Sequence, residues 1–199
     1  MLTVVIQAGG RSSRMGQDKA LMPFLGQPLI ARLVTRLASI ADELIVSTNR
    51  PDDYAFLGLP LVADKIPDRG ALGGLYTALE AASQAQVAVV ACDMPFANAG
   101  LIRAQSAIMQ DESVDVVIPQ TEGGYEPLHA VYRRETCLPM VESSIHAGMW
   151  KVISWFPLVK VRAIRPNELG QYDPRRLTFF NVNTPEDFSE AEALAREFD

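Results

Sequence analysis

Glycines and cations crowd one short stretch near the start of the chain. Gln7, Ala8, Gly9 and Gly10 lead into Arg11, Arg14 and Lys19, just after an apolar run at residues 2–6 and before an apolar pattern of helical spacing. Glycine lets the backbone approach an anion, and amide N–H groups in such a turn point inward as donors. The three cations add charge-assisted bonds of the kind phosphate oxygens accept. The stretch is therefore a phosphate cradle between a strand and a helix. Two common cradles do not fit it. The P-loop needs G-x-x-x-x-G-K-[ST], whereas five residues separate Gly10 from Gly16 and Lys19 does not follow a glycine. The dinucleotide fingerprint G-x-G-x-x-G fails because Gly9 and Gly10 are adjacent.

A second group of residues suits a divalent cation. Asp93 follows the apolar run 86–91 and precedes Met94 and Pro95, which turn the chain. A carboxylate there suits Mg²⁺, which takes oxygen ligands, keeps several waters and shares phosphate oxygens with its substrate. Asp64 and Asp68 are further carboxylates near the same edge, and either reads equally well as a turn residue. Gly70, Gly73 and Gly74 open a helix, where free N–H groups and the helix dipole favour an anion; the same cluster also reads as a plain turn.

These residues need a frame. Runs at 2–6, 43–47, 60–63 and 86–91 read as buried strands, the last apolar without alternation, as in the middle of a parallel sheet. Helical spacing covers Leu29, Ile30, Leu33, Val34, Leu37 and Ile40, then Leu75, Ala78, Leu79 and Ala82, then 99–109. Strand and helix alternate through 114–119, which predicts an α/β fold: a single three-layer α/β/α domain with a mostly parallel sheet and a Rossmann-like nucleotide-binding half. Ligands of such sheets bind beyond the carboxyl ends of the strands, where the cradle, Asn49, Asp64 and Asp93 fall. Beyond residue 120 the pattern loosens. Gly123 and Gly124 read as a turn leading into 126–132, residues 135–146 as a helix, 150–156 as a short helix, 158–164 as a strand, 166–176 as loop and 179–183 as a last strand. Thr184, Pro185 and Asp187 begin a final helix as N-cap, first position and capping box. No repeat or linker divides residues 1–199, although the pattern is regular over about 1–120 and looser over 121–199.

The bulk composition narrows the classes. Of 199 residues, 48% are hydrophobic and 21% charged, with net charge −6. That is a globular composition, and a dedicated nucleic-acid binder is more often basic. The two cysteines, Cys92 and Cys137, are far apart, and there are two histidines; neither a disulfide framework nor a multi-histidine metal site is expected. No apolar run approaches the ~18 residues of a membrane span, and the N-terminus shows no basic n-region or cleavage site. The chain reads as soluble and cytoplasmic, with no nucleic acid or membrane as partner.

The loop also resembles the A-G-G-x-S-x-R-M-G-x-D-K loop of nucleotidyltransferases of the molybdenum cofactor guanylyltransferase type. The resemblance continues in the family's order through the Asp64 region, Gly70-x-x-Gly73-Gly74, Cys92 to Pro95, Pro127 to Tyr132 and Asn181 to Asp187, covering nearly the whole chain. It implies a fold related to sugar-nucleotide transferases and transfer of GMP from Mg-GTP to the terminal phosphate of molybdenum-molybdopterin, with pyrophosphate as the other product. By the same resemblance Gln7, Ala8 and Gly9 meet the base or ribose, with Gly10 close behind. Arg14 and Lys19 face the triphosphate and are catalytic with Asp93. Ser47 and Asn49 lie near the nucleoside, Asp64 contacts the nucleotide, and Asp93 binds the nucleotide and Mg²⁺. Gly70, Gly74, Asn181 and Asn183 bind the pterin acceptor. Transient contact with cofactor insertion proteins is implied, although no motif here serves it. Gln7 stands where the family usually has Leu, and Ser47 where it can have Asn, so base preference is the carry-over they touch.

Other readings stay open. The base could be cytosine, or the acceptor another phosphorylated compound; from a different class, the chain could bind nucleotide or cofactor without turnover, against which Lys19 and Asp93 speak. His129 reads as a residue of a structural strand, bonding locally or lining the pterin side, in preference to acid–base work; Trp150 and Trp155 read as core in preference to a stacking platform, Cys92 as a small buried side chain, and His146 as a partner for a helix C-terminus.

Overall fold

The computed structural model describes residues 1–9 and 18–198, so Gly10, Arg11 and Arg14 lie outside the described residues. The first half contains β1 (Leu2–Gln7), β2 (Pro23–Phe24), β3 (Gln27–Pro28), α1 (Leu29–Ala38), β4 (Glu43–Ser47), α2 (Pro51–Tyr54), β5 (Leu61–Val62), α3 (Gly70–Ala81), β6 (Gln86–Ala91) and α4 (Ala99–Asp111). The second contains β7 (Val116–Thr121), β8 (Gly124–Tyr125), β9 (His129–Arg133), α5 (Arg134–His146), β10 (Val161–Ile164), α6 (Pro166–Leu169) and α7 (Pro185–Phe198).

The main sheet has the order β10-β7-β9-β6-β1-β4-β5, with β8 on the flank of β7. Pairs β1–β4, β1–β6, β4–β5 and β7–β10 are parallel. β1 and β6 are buried along their whole lengths, because helices cover both faces. The side-chain period of two divides them. Val4, Ile6, Ala88 and Val90 face Ile30, Leu33 and Leu101 of α1 and α4. Val5, Val87 and Val89 face Leu72, Leu75 and Leu79 of α3 and Val141 and Ile145 of α5. Each fully buried valine or leucine is worth about 1.5–3 kcal/mol, so the two faces hold three layers together. The third cluster, Phe24, Leu29, Phe96, Val182 and Phe188, attaches α7.

β9 breaks the parallel pattern, pairing antiparallel with both β6 and β7. A parallel neighbour needs a crossover of a dozen or more residues, and the connection from β7 to β9 is too short for one. Two expected elements are absent. Residues 179–183 form no strand: Val182 N–H donates to Asp93 O at 2.9 Å, and Phe180 N–H closes a turn on Leu177 O. The segment buries Val182 and leaves Asn181 and Asn183 exposed without joining a ladder. Residues 150–156 form turns that end in a 3-10 turn at Phe156–Leu158 instead of a helix. Within the expected loop 166–176, α6 forms around Glu168, which accepts from Arg165 N–H at 3.0 Å and pairs with Arg162 at 2.5 Å. No helix among the described residues is long and apolar enough to cross a membrane.

Candidate active site

Sheet register brings the chemistry to one rim. Gln7 lies level with Ser47 on β4 and with Ala91 on β6. The pairing continues past the strand ends, with Ala8 N–H donating to Ser47 O at 2.8 Å, Cys92 N–H to Gln7 O at 3.0 Å and Thr48 N–H to Val62 O at 2.7 Å. Neighbouring strands lie about 4.8 Å apart. Asp93, Gly9, Asn49 and Asp64 therefore emerge in adjoining columns.

Asn49 and Asp64 fasten two of those columns. Asn49 Nδ2 donates to Asp64 Oδ2 at 2.8 Å, and Asp64 N–H donates to Asn49 Oδ1 at 2.9 Å. A Cβ on Gly9 would sit 3.9 Å from Asp64 Oδ2, so the carboxylate faces the bare backbone of the cradle. Ser47 is level with this group but only 1% exposed; its carbonyl holds Ala8, and its side chain is turned into the protein.

The cation side is built from both ends of the chain. Asp18 caps the 3-10 turn Lys19–Leu21, accepting from Ala20 N–H at 3.1 Å. Its second oxygen accepts from the Tyr54 hydroxyl at 2.7 Å and pairs with Arg50. Lys19, held by that turn, donates from Nζ to Asn183 Oδ1 at 2.8 Å. Asn183 is fixed in turn by the cap of α7: Asp187 Oδ2 accepts from Asn183 N–H and Thr184 N–H at 2.7 and 2.8 Å, and Asp187 N–H donates to Thr184 Oγ1 at 3.1 Å. Asp93 is half-buried between these groups, with its carbonyl on Val182 N–H. Burial raises the Asp93 carboxyl above the usual carboxylate range, and the nearby Lys19 charge opposes that rise. Asp18, which positions Lys19, was not among the expected site residues, although it directly precedes Lys19 in the loop motif.

On the other face of the sheet, α3 begins against β1. Asp68 and Gly70 both have positive φ, +59° and +54°, a backbone that swings the chain sharply into the helix. A Cβ on Gly74 would lie 3.0–3.2 Å from the carboxamide of Gln7, so that side chain is clamped under the first turn of α3. Gln7 Nε2 is buried and has no hydrogen-bond partner among the described residues. Gly73, expected as part of the glycine cluster that opens the helix, is tighter still: its Cβ would fall 2.8 Å from Arg69 Cβ and 2.9 Å from Ile66 O.

Other side chains sort themselves by burial. His129 is fully buried; its Nε2 accepts from Asn98 N–H at 3.0 Å and its ring meets Phe179 edge-on at 5.6 Å. Burial pushes its pKa down to about 4, so the ring is neutral and fastens the loop after Asp93. Trp155 is fully buried as expected, but Trp150 is 62% exposed and is not core. Among the described residues no three His, Cys, Asp or Glu side chains group around a metal position. A lone half-buried carboxylate fits Mg²⁺ better than a transition metal, because Mg²⁺ borrows most of its ligands from water and phosphate.

The MobA-like NTP transferase domain family matches residues 4–161 of the chain. A protein of Carboxydothermus hydrogenoformans named "Probable molybdenum cofactor guanylyltransferase" is 41% identical over 187 residues, covering 94% of this chain and 93% of that one. One of the same name from Pelotomaculum thermopropionicum is 39% identical over 97% of this chain and 93% of its own. Molybdopterin-guanine dinucleotide biosynthesis protein A of Archaeoglobus fulgidus superposes with a TM-score of 0.84 at 22% identity, covering 98% of this chain and all of that one (100%); at that identity the likeness bears on the fold.

Proposed function

This chain belongs to the MobA-like NTP transferase family, and we propose that it transfers GMP from Mg-GTP to the terminal phosphate of molybdenum-molybdopterin, releasing pyrophosphate. The observation that carries the reading is the convergence of Lys19 and Asn183 beside Asp93 at the rim. An acceptor phosphate oxygen, already ionised at neutral pH, attacks the α-phosphorus. The bond from that phosphorus to the bridging oxygen breaks, and pyrophosphate leaves with the electron pair. No general base is required, which suits a site whose buried histidine is neutral and turned to structural work.

The residues then divide the labour. Lys19 offsets charge on the phosphates, and Arg14, outside the described residues, is assigned there by resemblance. Gln7, Ala8, Gly9, Asn49 and Asp64 take the nucleoside, Gly10 lies close behind, and Ser47 acts through its backbone. Asn181 and Asn183, both exposed beside Asp93, take the acceptor with Gly70 and Gly74. Asp93 would hold Mg²⁺, which supplies Lewis-acid stabilisation worth several kcal/mol when bound. In this assignment residues 1–120 carry the nucleotide and 121–199 the acceptor.

The test is a panel of GTP, CTP and ATP with Mg²⁺ and molybdenum-molybdopterin, read as pyrophosphate release and product mass. The guanine dinucleotide is expected. Faster turnover with CTP would make the chain a cytidylyltransferase, and no pyrophosphate with any nucleotide would leave it a binding module.

A further inference from the structure

Trp150 is the residue the fold does not explain. It is 62% exposed, with Met149 (42%) and Ile153 (36%) beside it in the sequence. The other tryptophan, Trp155, is fully buried against Tyr132 and Phe156. What holds Trp150 is Arg69, whose guanidinium carbon lies 5.1 Å from the centroid of the indole ring. A guanidinium over an aromatic face keeps its fork of donors in a fixed plane. Arg69 makes no ion pair among the described residues, on a chain of net charge −6.

The backbone delivers the two from opposite directions. α5 leaves the end of β9 away from the rim and packs along α3. It terminates as Gly148, at φ +77°, bonds back to Ile145 O at 3.0 Å, with Met149 N–H on Ser144 O at 3.0 Å. That turn throws Trp150 clear of the helix and onto Arg69, the residue before α3. Gly73, one turn further on, packs on Arg69 Cβ, and its neighbour Gly74 packs on Gln7 at the end of β1. The Arg69–Trp150 pair thus stands one helical turn from the reaction rim.

We propose that Arg69 and Trp150 form a stacking platform for the fused-ring heterocycle of the acceptor. This rests on the GMP-transfer reading above. An exposed indole offers a face to a planar ring, and the guanidinium offers donors to the anionic groups such an acceptor carries. The nucleotide's share of the rim lies at the cradle, Asn49 and Asp64. The platform lies beyond it, where α3 meets the segment after α5.

The experiment compares wild type with Trp150→Ala, Trp150→Phe and Arg69→Ala. Because Trp150 is exposed, its replacement leaves the core intact, which circular dichroism checks. Loss of a stacking partner is expected to raise the KM for molybdenum-molybdopterin about tenfold in Trp150→Ala, with kcat and the KM for GTP within about twofold, and Trp150→Phe should recover most of the loss. A second readout needs no turnover: a phosphorylated 6-substituted pterin should quench tryptophan emission in wild type and Arg69→Ala, weakly in the latter, and not in Trp150→Phe. An unchanged acceptor KM in Trp150→Ala, or a rise in the GTP KM instead, overturns the proposal, as does quenching that survives Trp150→Phe. An acceptor KM that changes only when a second protein is supplied would make the patch a protein contact and overturn it too. Absence of GMP transfer in wild type would sink the broader reading, whereas pterin quenching would still decide the platform.

Discussion

Lys19 Nζ donates to Asn183 Oδ1 at 2.8 Å, joining residues 164 positions apart. The 3-10 turn at Lys19–Leu21 and the segment that leads into the last helix are thereby joined beside Asp93. An ammonium on a four-carbon stem gives up much rotamer entropy to hold one place, and Asn183 takes that cost before substrate arrives. Lys19→Ala should lower kcat by about 10²–10³ and Asn183→Ala by about 10-fold, since removing one preorganised donor commonly costs that much. The two losses should be less than multiplicative in the double variant, as for residues in direct contact. Pyrophosphate release gives all four rates, and strictly multiplicative losses would mean the contact does not position the ammonium.

Asp93 should show activity and stability pulling apart. Its carboxyl is raised by burial, with Lys19 opposing. A carboxyl with a folded pKa above its unfolded value favours folding in the protonated form; that contribution is lost as pH rises through the folded pKa. At pH 7 the ionised group is therefore a burden on the fold. Asp93→Asn removes it and should melt a few degrees higher at pH 7, the gap closing in acid, while turnover falls by orders of magnitude. Thermal scans from pH 4 to 7 check this; a lower melting temperature at pH 7 would show that the carboxylate stabilises the fold.

Much of this frame is legible in sequence, because β4 and β6 are apolar runs bounded by turns and helices α1 and α3 carry their periods openly. The mistakes have physical causes. Residues 181–183 run exposed, buried, exposed as a strand does, yet Val182 is buried in the cluster with Phe24, Phe96 and Phe188 without its segment pairing into the sheet. Trp150 and Trp155 are five apart, a spacing no regular element requires, so nothing local says that only one enters the core. The antiparallel insertion of β9 depends on the length of a connection, not on the composition of the strand. Asp18 escapes notice because its second oxygen works on Tyr54 and Arg50, neither of which is near it in sequence, while its hold on the adjoining turn of Lys19 reads only as an ordinary cap.

His129 predicts an acid weakness. Its pKa falls to about 4 through burial, so folding favours the neutral ring over the charged one. Stability from this group is whole above the unfolded pKa near 6.5 and is lost as pH falls through the folded value. That interval corresponds to about 3 kcal/mol at most. His129→Gln keeps an acceptor for Asn98 N–H but does not titrate, so its urea midpoint should change less between pH 7 and 4.5 than that of wild type. Equal pH dependence in both would place the acid sensitivity elsewhere.

The glycines before and within α3 differ in what they tolerate. Alanine is favoured over glycine in a helix interior by about 1 kcal/mol, so Gly→Ala should stabilise wherever a methyl group fits. At Gly74 the methyl meets the carboxamide end of Gln7 at 3.0–3.2 Å, which a small rotation relieves; the stability of Gly74→Ala should stay near wild type. At Gly73 it meets Arg69 Cβ at 2.8 Å and the Ile66 carbonyl at 2.9 Å. Neither can move without the backbone of the turn, so Gly73→Ala should lose about 1–3 kcal/mol, the usual range for overpacking. Urea titration of the two variants side by side checks the order. Because the displaced atoms belong to Arg69 and the turn that carries it, Gly73→Ala should also weaken pterin quenching of Trp150, whereas Gly74→Ala, which presses on Gln7 instead, should leave that quenching in place.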